Sequence, residues 1–220
     1  MIPRPAPLLA LLAASSLALG GCAVAPAGSG SAPAATGANP GQARPLPPPG
    51  LGTLRQDDIT ISLRQDALQI KVTPLLERVI RATAPDTYRR LHGLAEAHGD
   101  PNPGDERAYF LVSFFTEDPG TAYMPEDLNL VSRGLRLRPD RIAPVTPDWG
   151  QYRLEQRRTE MAVYAFQGSV DLESELVVLY QGLESTEWTV IRPRVESELV
   201  RVRARARPGQ ASSSYLESLR

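Results

Sequence analysis

The chain has 220 residues, of which 24 are basic and 25 are acidic, so its formal net charge is −1 at neutral pH. This balance excludes a global electrostatic attraction to nucleic acid, and no nucleic-acid partner is expected. The only cysteine is Cys22. The rest of the chain therefore cannot form disulfides or use a thiol nucleophile, and its stability must come from core packing.

An apolar run from Leu8 to Leu19 follows Arg4 near the N-terminus. It is shorter than the roughly 20 apolar residues that span a bilayer, but it suits a cleaved signal. The run ends in the sequence LGGC at residues 19–22, which resembles the lipobox of bacterial lipoproteins. This resemblance covers the first 22 residues only.

The resemblance implies that residues 1–21 are a signal peptide and that Cys22 is lipidated. Two or three acyl chains on Cys22 would anchor the protein to a membrane almost permanently. Ala23 follows the cysteine, and the absence of Asp there implies the outer membrane of a Gram-negative envelope. The alternative is an ordinary secretory signal, in which case Cys22 would be an exposed thiol or form an intermolecular disulfide.

Composition divides the remaining chain into three parts. Residues 22–53 are rich in Ala, Pro, Gly and Ser and offer too little apolar surface to fold, which predicts a disordered tether after the acylated cysteine. Residues 54–207 have the length and apolar content of one globular domain. Residues 208–220 are expected to be a frayed tail.

Period-two alternation of apolar residues predicts three antiparallel hairpins within the domain. In the first two hairpins a change of parity across the turn, and in the third a three-residue loop, lets one register bring the apolar residues to a single face. The expected pairs are Leu63 with Leu68, Ile61 with Ile70, Leu130 with Leu135 and Leu128 with Leu137, and the third hairpin joins 162–166 to 170–180 through Gly168.

Further strands are predicted at 108–116, 188–191 and 198–205. Residues 176–180 are apolar on both faces, which predicts a central position in a sheet. With about nine short strands and mostly short loops, the pattern favours a mainly β fold, an antiparallel immunoglobulin-like β-sandwich.

A helical insertion is predicted near residues 74–98. Thr73 can cap a first helix with Pro74 at its first position, and Pro85 ends or kinks it. Asp86 can cap a second helix, which Gly99 stops.

Residues that could carry chemistry are sparse, and no catalytic residue, metal or cofactor is assigned. His92 and His98 are the only histidines, and six residues apart they lie on different sides of a helix, so both are interpreted as solvated. Two acidic pairs, at 117–118 and 126–127, bracket a loop and are the residues that a glycosidase would use. The simpler interpretation is that they are solvated loop ends.

Arginines alternate with small apolar residues at the C-terminal end of the domain, at Arg201, Arg203, Arg205 and Arg207. In an extended strand they would line one face and could bind lipid phosphates, cell-wall carboxylates or an acidic protein. The alternative is a charged edge strand whose arginines pair with acids such as Asp171, Glu173 and Glu175.

Trp149 and Tyr152 flank Gly150 in a proline-rich connection. Exposed aromatic side chains there could stack on a sugar or contact a protein partner. The alternative is that the tryptophan folds down and closes one end of the sandwich.

Together these observations favour an envelope lipoprotein anchored through Cys22, whose domain is a non-catalytic binding or assembly module. Its expected partner, besides the membrane, is another envelope protein or the cell wall. Two alternatives stay open. One is a hydrolase that acts on envelope glycans or peptides through the acidic loop residues. The other is a structural subunit of an envelope complex, which would carry a large exposed apolar patch.

Overall fold

Strands form most of the regular structure of the residues described by the computed structural model, which are 45–99, 107–168 and 170–206. The strands are β1 (Ile61–Gln65), β2 (Leu68–Pro74), β3 (Ala108–Thr116), β4 (Thr121–Ala122), β5 (Leu128–Ser132), β6 (Leu135–Leu137), β7 (Pro139–Pro144), β8 (Arg153–Leu154), β9 (Thr159–Phe166), β10 (Leu176–Tyr180) and β11 (Leu183–Ser185). The helices are α1 (Glu77–Ile80), α2 (Pro85–His98) and α3 (Trp188–Arg205), and two short 3-10 helices span Gln56–Ile59 and Pro125–Asp127. The mainly β class with a helical insertion is confirmed.

Two antiparallel sheets share one continuous apolar core. The larger has the strand order β1-β2-β3-β9-β7, the smaller has the order β11-β10-β5-β6, and β4 pairs with β8 in a separate ribbon. Each fully buried large side chain contributes about 1.5 to 3 kcal/mol relative to exposure. The largest such side chains come from both sheets, from α2, from α3 and from the loops, and include Phe110, Phe114, Phe166, Tyr123, Tyr164, Tyr180, Leu91 and Trp188.

The first two predicted hairpins form, but each is displaced by two residues from the expected register. Leu63 pairs with Ile70, and Leu130 pairs with Leu137. The turns are tighter than predicted because Asp66 adopts a positive φ of 50° and Arg133 one of 52°, the region that a two-residue hairpin loop uses. A displacement of two residues keeps the side chains on their predicted faces, because the side-chain period of a strand is two. Leu135 is nevertheless 67% exposed, so its predicted burial is wrong.

The third predicted hairpin is wrong. Strand β9 pairs with β3 and β7 in the larger sheet, while β10 belongs to the smaller sheet, between β11 and β5. Val170 and Leu172 precede β10 in an irregular stretch, although both are buried as the alternation predicted. The interior position of β10 and the bounds of β3 are confirmed.

The helical insertion is confirmed, but its predicted starts are wrong. Thr73 and Pro74 end strand β2, and the first helix begins at Glu77. The second helix has Pro85 at its first position, where the missing N–H costs no hydrogen bond, and Asp86 lies inside its first turn. Gly99 stops the helix as expected, and its amide donates to Ala95 O at 2.7 Å.

The strands predicted at 188–191 and 198–205 are wrong, because both lie in the single helix α3. Its buried positions recur every three or four residues, which is the helical period. Arginine, alanine and glutamate also have high helix propensity, so the alternating arginines are compatible with a helix. The buried positions are Trp188, Ile191, Val195, Glu198 and Val202.

Residues 45–53, which the sequence assigned to the tether, already pack on the domain. Arg81 Nη1 donates to Pro47 O at 2.7 Å, and the Thr53 amide donates to Ala82 O at 3.1 Å. At Gly52 an added Cβ would lie 2.2 Å from the backbone carbonyl of Ala82, so only glycine fits this approach. Among the described residues, no helix combines the length and apolar character that crossing a bilayer requires.

Candidate functional site, a charged cleft beside strand β6

A polar cleft lies where the smaller sheet meets the edge strand of the larger one. Its volume is about 340 Å³. The 3-10 helix before β5 contributes two carboxylates, the β5–β6 hairpin contributes an amide and two guanidinium groups, and β7 contributes apolar surface. The lining residues are Glu126, Asp127, Asn129, Arg136, Arg138, Pro139 and Ile142.

Hydrogen bonds from both sheets hold the turn that carries the carboxylates. Tyr164 of β9 donates its hydroxyl to Pro125 O at 2.9 Å, and Tyr180 of β10 accepts from the Met124 amide at 3.0 Å. Burial raises the pKa of both tyrosines, so they stay neutral donors or acceptors at physiological pH. The turn is therefore fixed before any ligand arrives, which lowers the entropic cost of binding.

The two carboxylates are each oriented by one neutral partner. Tyr152 donates its hydroxyl to Glu126 Oε1 at 3.1 Å, and Gln181 Nε2 donates to Asp127 Oδ2 at 2.9 Å. The hydrogen bond to Glu126 raises the pKa of Tyr152. Tyr152 itself adopts a φ of 60°, an uncommon conformation for a non-glycine residue that places its ring beside the cleft.

Arg136 and Arg138 project from the face of the β5–β6 hairpin opposite to the core. Arg136 pairs with Val131, and the same register continued by one residue sets Arg138 across from Asn129. Both arginines are exposed. Within the described ranges neither has a hydrogen bond or a carboxylate oxygen within 4.0 Å, so their charges are available to a ligand.

Asn129 supplies the most informative atom of the cleft. The residue is only 3% exposed, and its Nδ2 donates to Asp127 O at 2.7 Å. Its Oδ1 is buried and has no hydrogen-bond partner in the part of the chain that the structure describes. A buried carbonyl without a donor costs about 1 to 3 kcal/mol, which a bound ligand with an N–H or O–H group would recover.

Trp149 and Tyr152, the predicted aromatic contact residues, differ in their surroundings. Trp149 is half-buried in an aromatic cluster, with ring centroids 5.9 Å from Phe114, 6.0 Å from Tyr123 and 6.1 Å from Tyr164. This is the arrangement of the alternative in which the tryptophan closes the end of the domain. Tyr152 is exposed and borders the cleft through Glu126.

A buried carboxylate anchors the same loop. Glu160 is 5% exposed and accepts a short hydrogen bond from the Tyr123 hydroxyl, which also accepts from the Gly150 amide at 3.4 Å. Burial and the bond to Glu160 raise the pKa of Tyr123 well above its ordinary value. The loop that carries Trp149 is thereby tied to the core rather than projecting from it.

The C-terminal arginines do not form one strip. In helix α3, Arg201 and Arg205 lie one turn apart and both contact Glu198, which is 2% exposed. Arg203 lies on another side of the helix, where it lines a groove with residues 45–48. Arg207 lies outside the described residues.

The contacts of Glu198 are structural in character. Thr53 Oγ1 donates to its Oε1 at 2.9 Å, Arg205 donates to the same oxygen, and Arg201 Nη1 lies 3.5 Å from Oε2. Burial raises the pKa of Glu198, but the bonds from Arg205 and Thr53 and the charge of Arg201 outweigh it, so the pKa falls below its ordinary value. Glu198 is therefore ionised and paired, and two of the predicted anion-binding arginines neutralise it.

The acids expected to pair with these arginines have other partners. Asp171 accepts from Arg133 Nε at 2.8 Å, which holds its pKa below the ordinary value, and Glu173 lies 3.5 Å from Arg78. Glu175 has no ion pair among the described residues.

His92, which the sequence suggested is solvated, belongs instead to a small network that joins α1 and α2. Its Nδ1 lies 2.7 Å from Glu77 and its Nε2 3.3 Å from Glu96, and its ring stacks on Tyr88 at 5.2 Å. No group of three or more His, Cys, Asp or Glu side chains with metal-binding geometry occurs in the described ranges. Cys22 lies outside the described residues, so its lipidation stays a prediction.

Comparison with protein-family models, with curated proteins and with solved structures gave no match for this chain.

The sequence analysis missed Asn129, Arg136 and Arg138. A signal for them was present, because the second hairpin assigned the leucines at 128, 130, 135 and 137 to the core face. Asn129 and Arg136, which lie between those leucines, and Arg138, which follows them, must then share the opposite face. The approach of β7, which closes the cleft, has no such signal.

Proposed function

We propose that this protein is a membrane-anchored envelope lipoprotein whose β domain binds a ligand without transforming it. Cys22 supplies the anchor, and the cleft beside β6 supplies the binding site. The ligand is a component of the cell wall or a segment of another envelope protein. The immunoglobulin-like arrangement of the two sheets stays a prediction that belongs to this proposal, as does the outer-membrane location.

The proposal depends on one observation: the polar groups of the cleft are held in place, but not all of them have a partner. The turn at 125–127 is held by tyrosines of both sheets, while Arg136, Arg138 and Asn129 Oδ1 have no partner in the described chain. The two guanidinium groups are exposed to solvent, whereas a buried amide oxygen such as Asn129 Oδ1 is normally satisfied by a protein group, an ordered water or a ligand. Fixed orientation combined with unused bonding capacity is typical of a recognition site.

The anchor is tested by the Cys22→Ser variant, expressed with its leader in a Gram-negative host. We expect the wild-type chain to sediment with membranes and to require detergent for release, because acyl chains hold it there. The variant should be recovered in the soluble periplasmic fraction. Equal sedimentation of both chains in the membrane fraction would refute lipidation as the anchor.

The cleft is tested by crosslinking in intact envelopes, with Arg136→Gln and Arg138→Gln combined in one chain. We expect the crosslinked products of the wild type to disappear in this variant. Arg64→Gln is the matched control, because Arg64 is an exposed arginine of β1 without a partner among the described residues. Products that persist in the double variant would exclude the cleft as the binding site.

A second function is favoured by one observation, the presence of two carboxylates in the same cleft. Glu126 and Asp127 both line it, and glycosidases use paired carboxylates about 5 to 9.5 Å apart. A hydrolase of envelope glycans or peptides would release soluble fragments from purified peptidoglycan and would lose this activity in Glu126→Gln. Binding without release of fragments supports the non-catalytic function.

A further inference from the structure

We infer that the cleft binds a small zwitterion, meaning a molecule that carries both an ammonium group and a carboxylate and is about the size of a dipeptide. This inference rests on the proposed function, since it names the ligand class of the same cleft. The two charged ends would lie against different walls, one lined by acceptors and the other by arginines.

The acceptor wall suits an ammonium group. Asn129 Oδ1 is a buried acceptor without a donor, and Glu126 and Asp127 each have one carboxylate oxygen without a partner in the described chain. An ammonium group has three N–H donors and no acceptor. It can therefore donate to the amide oxygen and to one or both carboxylates at the same time, which no simple anion can do.

The arginine side of the cleft suits a carboxylate. Arg136 and Arg138 share one face of the β6 end of the hairpin, two residues apart, and neither guanidinium group is neutralised within the described ranges. Guanidinium groups bind carboxylates through two parallel hydrogen bonds. Neither arginine forms an ion pair with Glu126 or Asp127 in the described ranges, although all four side chains line the same cleft.

The charge balance of the cleft selects against ions of a single sign. Two carboxylates oppose an anion that approaches the arginines, and two guanidinium groups oppose a cation that approaches the carboxylates. A zwitterion compensates both pairs. The volume of about 340 Å³ is near the lower end of the usual range for ligand sites, roughly 300 to 1,000 Å³, and Pro139 and Ile142 offer apolar contact for short alkyl side chains.

The test is isothermal titration calorimetry of the full chain, purified in detergent, with three forms of one dipeptide. The probes are L-Ala-D-Ala, which is zwitterionic, N-acetyl-L-Ala-D-Ala, which is anionic, and L-Ala-D-Ala amide, which is cationic. We expect the zwitterion to bind at least tenfold more tightly than either blocked form. L-Ala-L-Ala distinguishes two sources of the same chemistry, because D-residues occur in cell-wall peptides whereas proteins supply L-residues.

The variants locate the binding. Arg136→Gln combined with Arg138→Gln should weaken binding of the zwitterion at least tenfold and leave binding of the amide unchanged, whereas Arg64→Gln should bind like the wild type. Both substitutions lie on the surface, and an unchanged thermal midpoint establishes that the variant is folded. Equal affinity for all three probes, no binding of the zwitterion, or full binding by the double variant would each overturn the inference.

Failure of this inference can be told apart from failure of the proposed function. Calorimetry in detergent does not depend on the lipid anchor. If no dipeptide binds but envelope crosslinking still requires Arg136 and Arg138, the ligand class is wrong and the binding function stands. If crosslinking is also insensitive to these arginines, the proposed function fails as well.

Discussion

The arginines of helix α3 and the two at the end of the β5–β6 hairpin differ in what surrounds them. Arg201 and Arg205 share the buried carboxylate of Glu198, so their charge is compensated inside the domain. Arg136 and Arg138 project into a cleft and have no partner among the described residues. The two groups have similar sequences, Arg-Val-Arg and Arg-Leu-Arg, and the charge pattern alone does not separate them.

The difference indicates that contact with a buried acid distinguishes arginines that stabilise the fold from arginines that are free to bind a ligand. Removing charge from α3 should cost stability, because it leaves Glu198 ionised and poorly paired. Removing charge from β6 should cost binding instead.

The largest expected effect comes from the segment that brings Thr53 to Glu198. Gly52→Ala should lower the free energy of unfolding by about 3 kcal/mol, because its Cβ would overlap the Ala82 backbone and displace Thr53. Urea denaturation measures the change. Gly93→Ala is the matched control on helix α2, where nothing lies within 4 Å, and it should stabilise by about 0.5 to 1 kcal/mol. A Gly52→Ala chain as stable as the wild type would contradict the close approach.

The next effect concerns the arginines themselves. Arg201→Gln and Arg205→Gln together should lower the free energy of unfolding by about 1 to 2 kcal/mol at pH 7, with the exposure of both arginines limiting the loss. The same substitutions at Arg136 and Arg138 are the control and should change it by less than about 0.5 kcal/mol. Equal losses in both variants would remove the distinction between the two groups.

The pH dependence identifies Glu198 as the acid responsible. Because its folded pKa lies below the ordinary value of 4.5, its contribution is present above that pH and is lost as the pH falls through the folded pKa. The difference in unfolding free energy between the wild type and the Arg201→Gln, Arg205→Gln chain should therefore shrink as the pH falls below 4.5. Denaturation at several pH values measures it, and a difference that stays constant down to pH 2 would assign the loss to another group.

The smallest effect is expected at the rim of the cleft. Tyr152→Phe removes one exposed hydrogen bond to Glu126 and should weaken L-Ala-D-Ala binding by less than about tenfold, with stability changed by less than about 0.5 kcal/mol. Tyr109→Phe, on a half-buried tyrosine outside the cleft lining, should leave the affinity unchanged. A loss as large as that of the arginine variant would mean that Tyr152 itself holds the ligand.

The sequence predicted best which face of each strand its apolar side chains occupy. Alternation assigned Leu63, Ile70, Leu130 and Leu137 to the core face correctly, since that property survives a displacement of two residues. The register was wrong because it depends on the positive φ of Asp66 and Arg133. The turn at Asp66 contains no glycine or asparagine, and in the turn at Arg133 and Gly134 the glycine occupies only the second position.

Longer-range pairing could not be predicted from local pattern. Strand β9 is followed by a glycine loop typical of a hairpin, yet it pairs with β3 and β7, a choice made by the whole sheet. In α3 the alternating arginines favoured a strand, although the spacing of Trp188, Ile191 and Val195 is helical. The cleft depends both on the alternation of side chains in β5 and β6 and on the long-range approach of β7. Only the side formed by the β5–β6 hairpin could therefore have been predicted from the sequence.

The alternation of side chains along β6 limits which insertions the β5–β6 turn can accept. Arg136 and Arg138 alternate with Leu135 and Leu137, and the turn at Arg133 and Gly134 sets which pair faces the cleft. One residue inserted into that turn, with the remaining strand slipping to match, would exchange the two pairs and place leucines instead of arginines at the cleft. An insertion of two residues would leave the wall unchanged. Viable length variants of this hairpin should therefore differ by even numbers of residues.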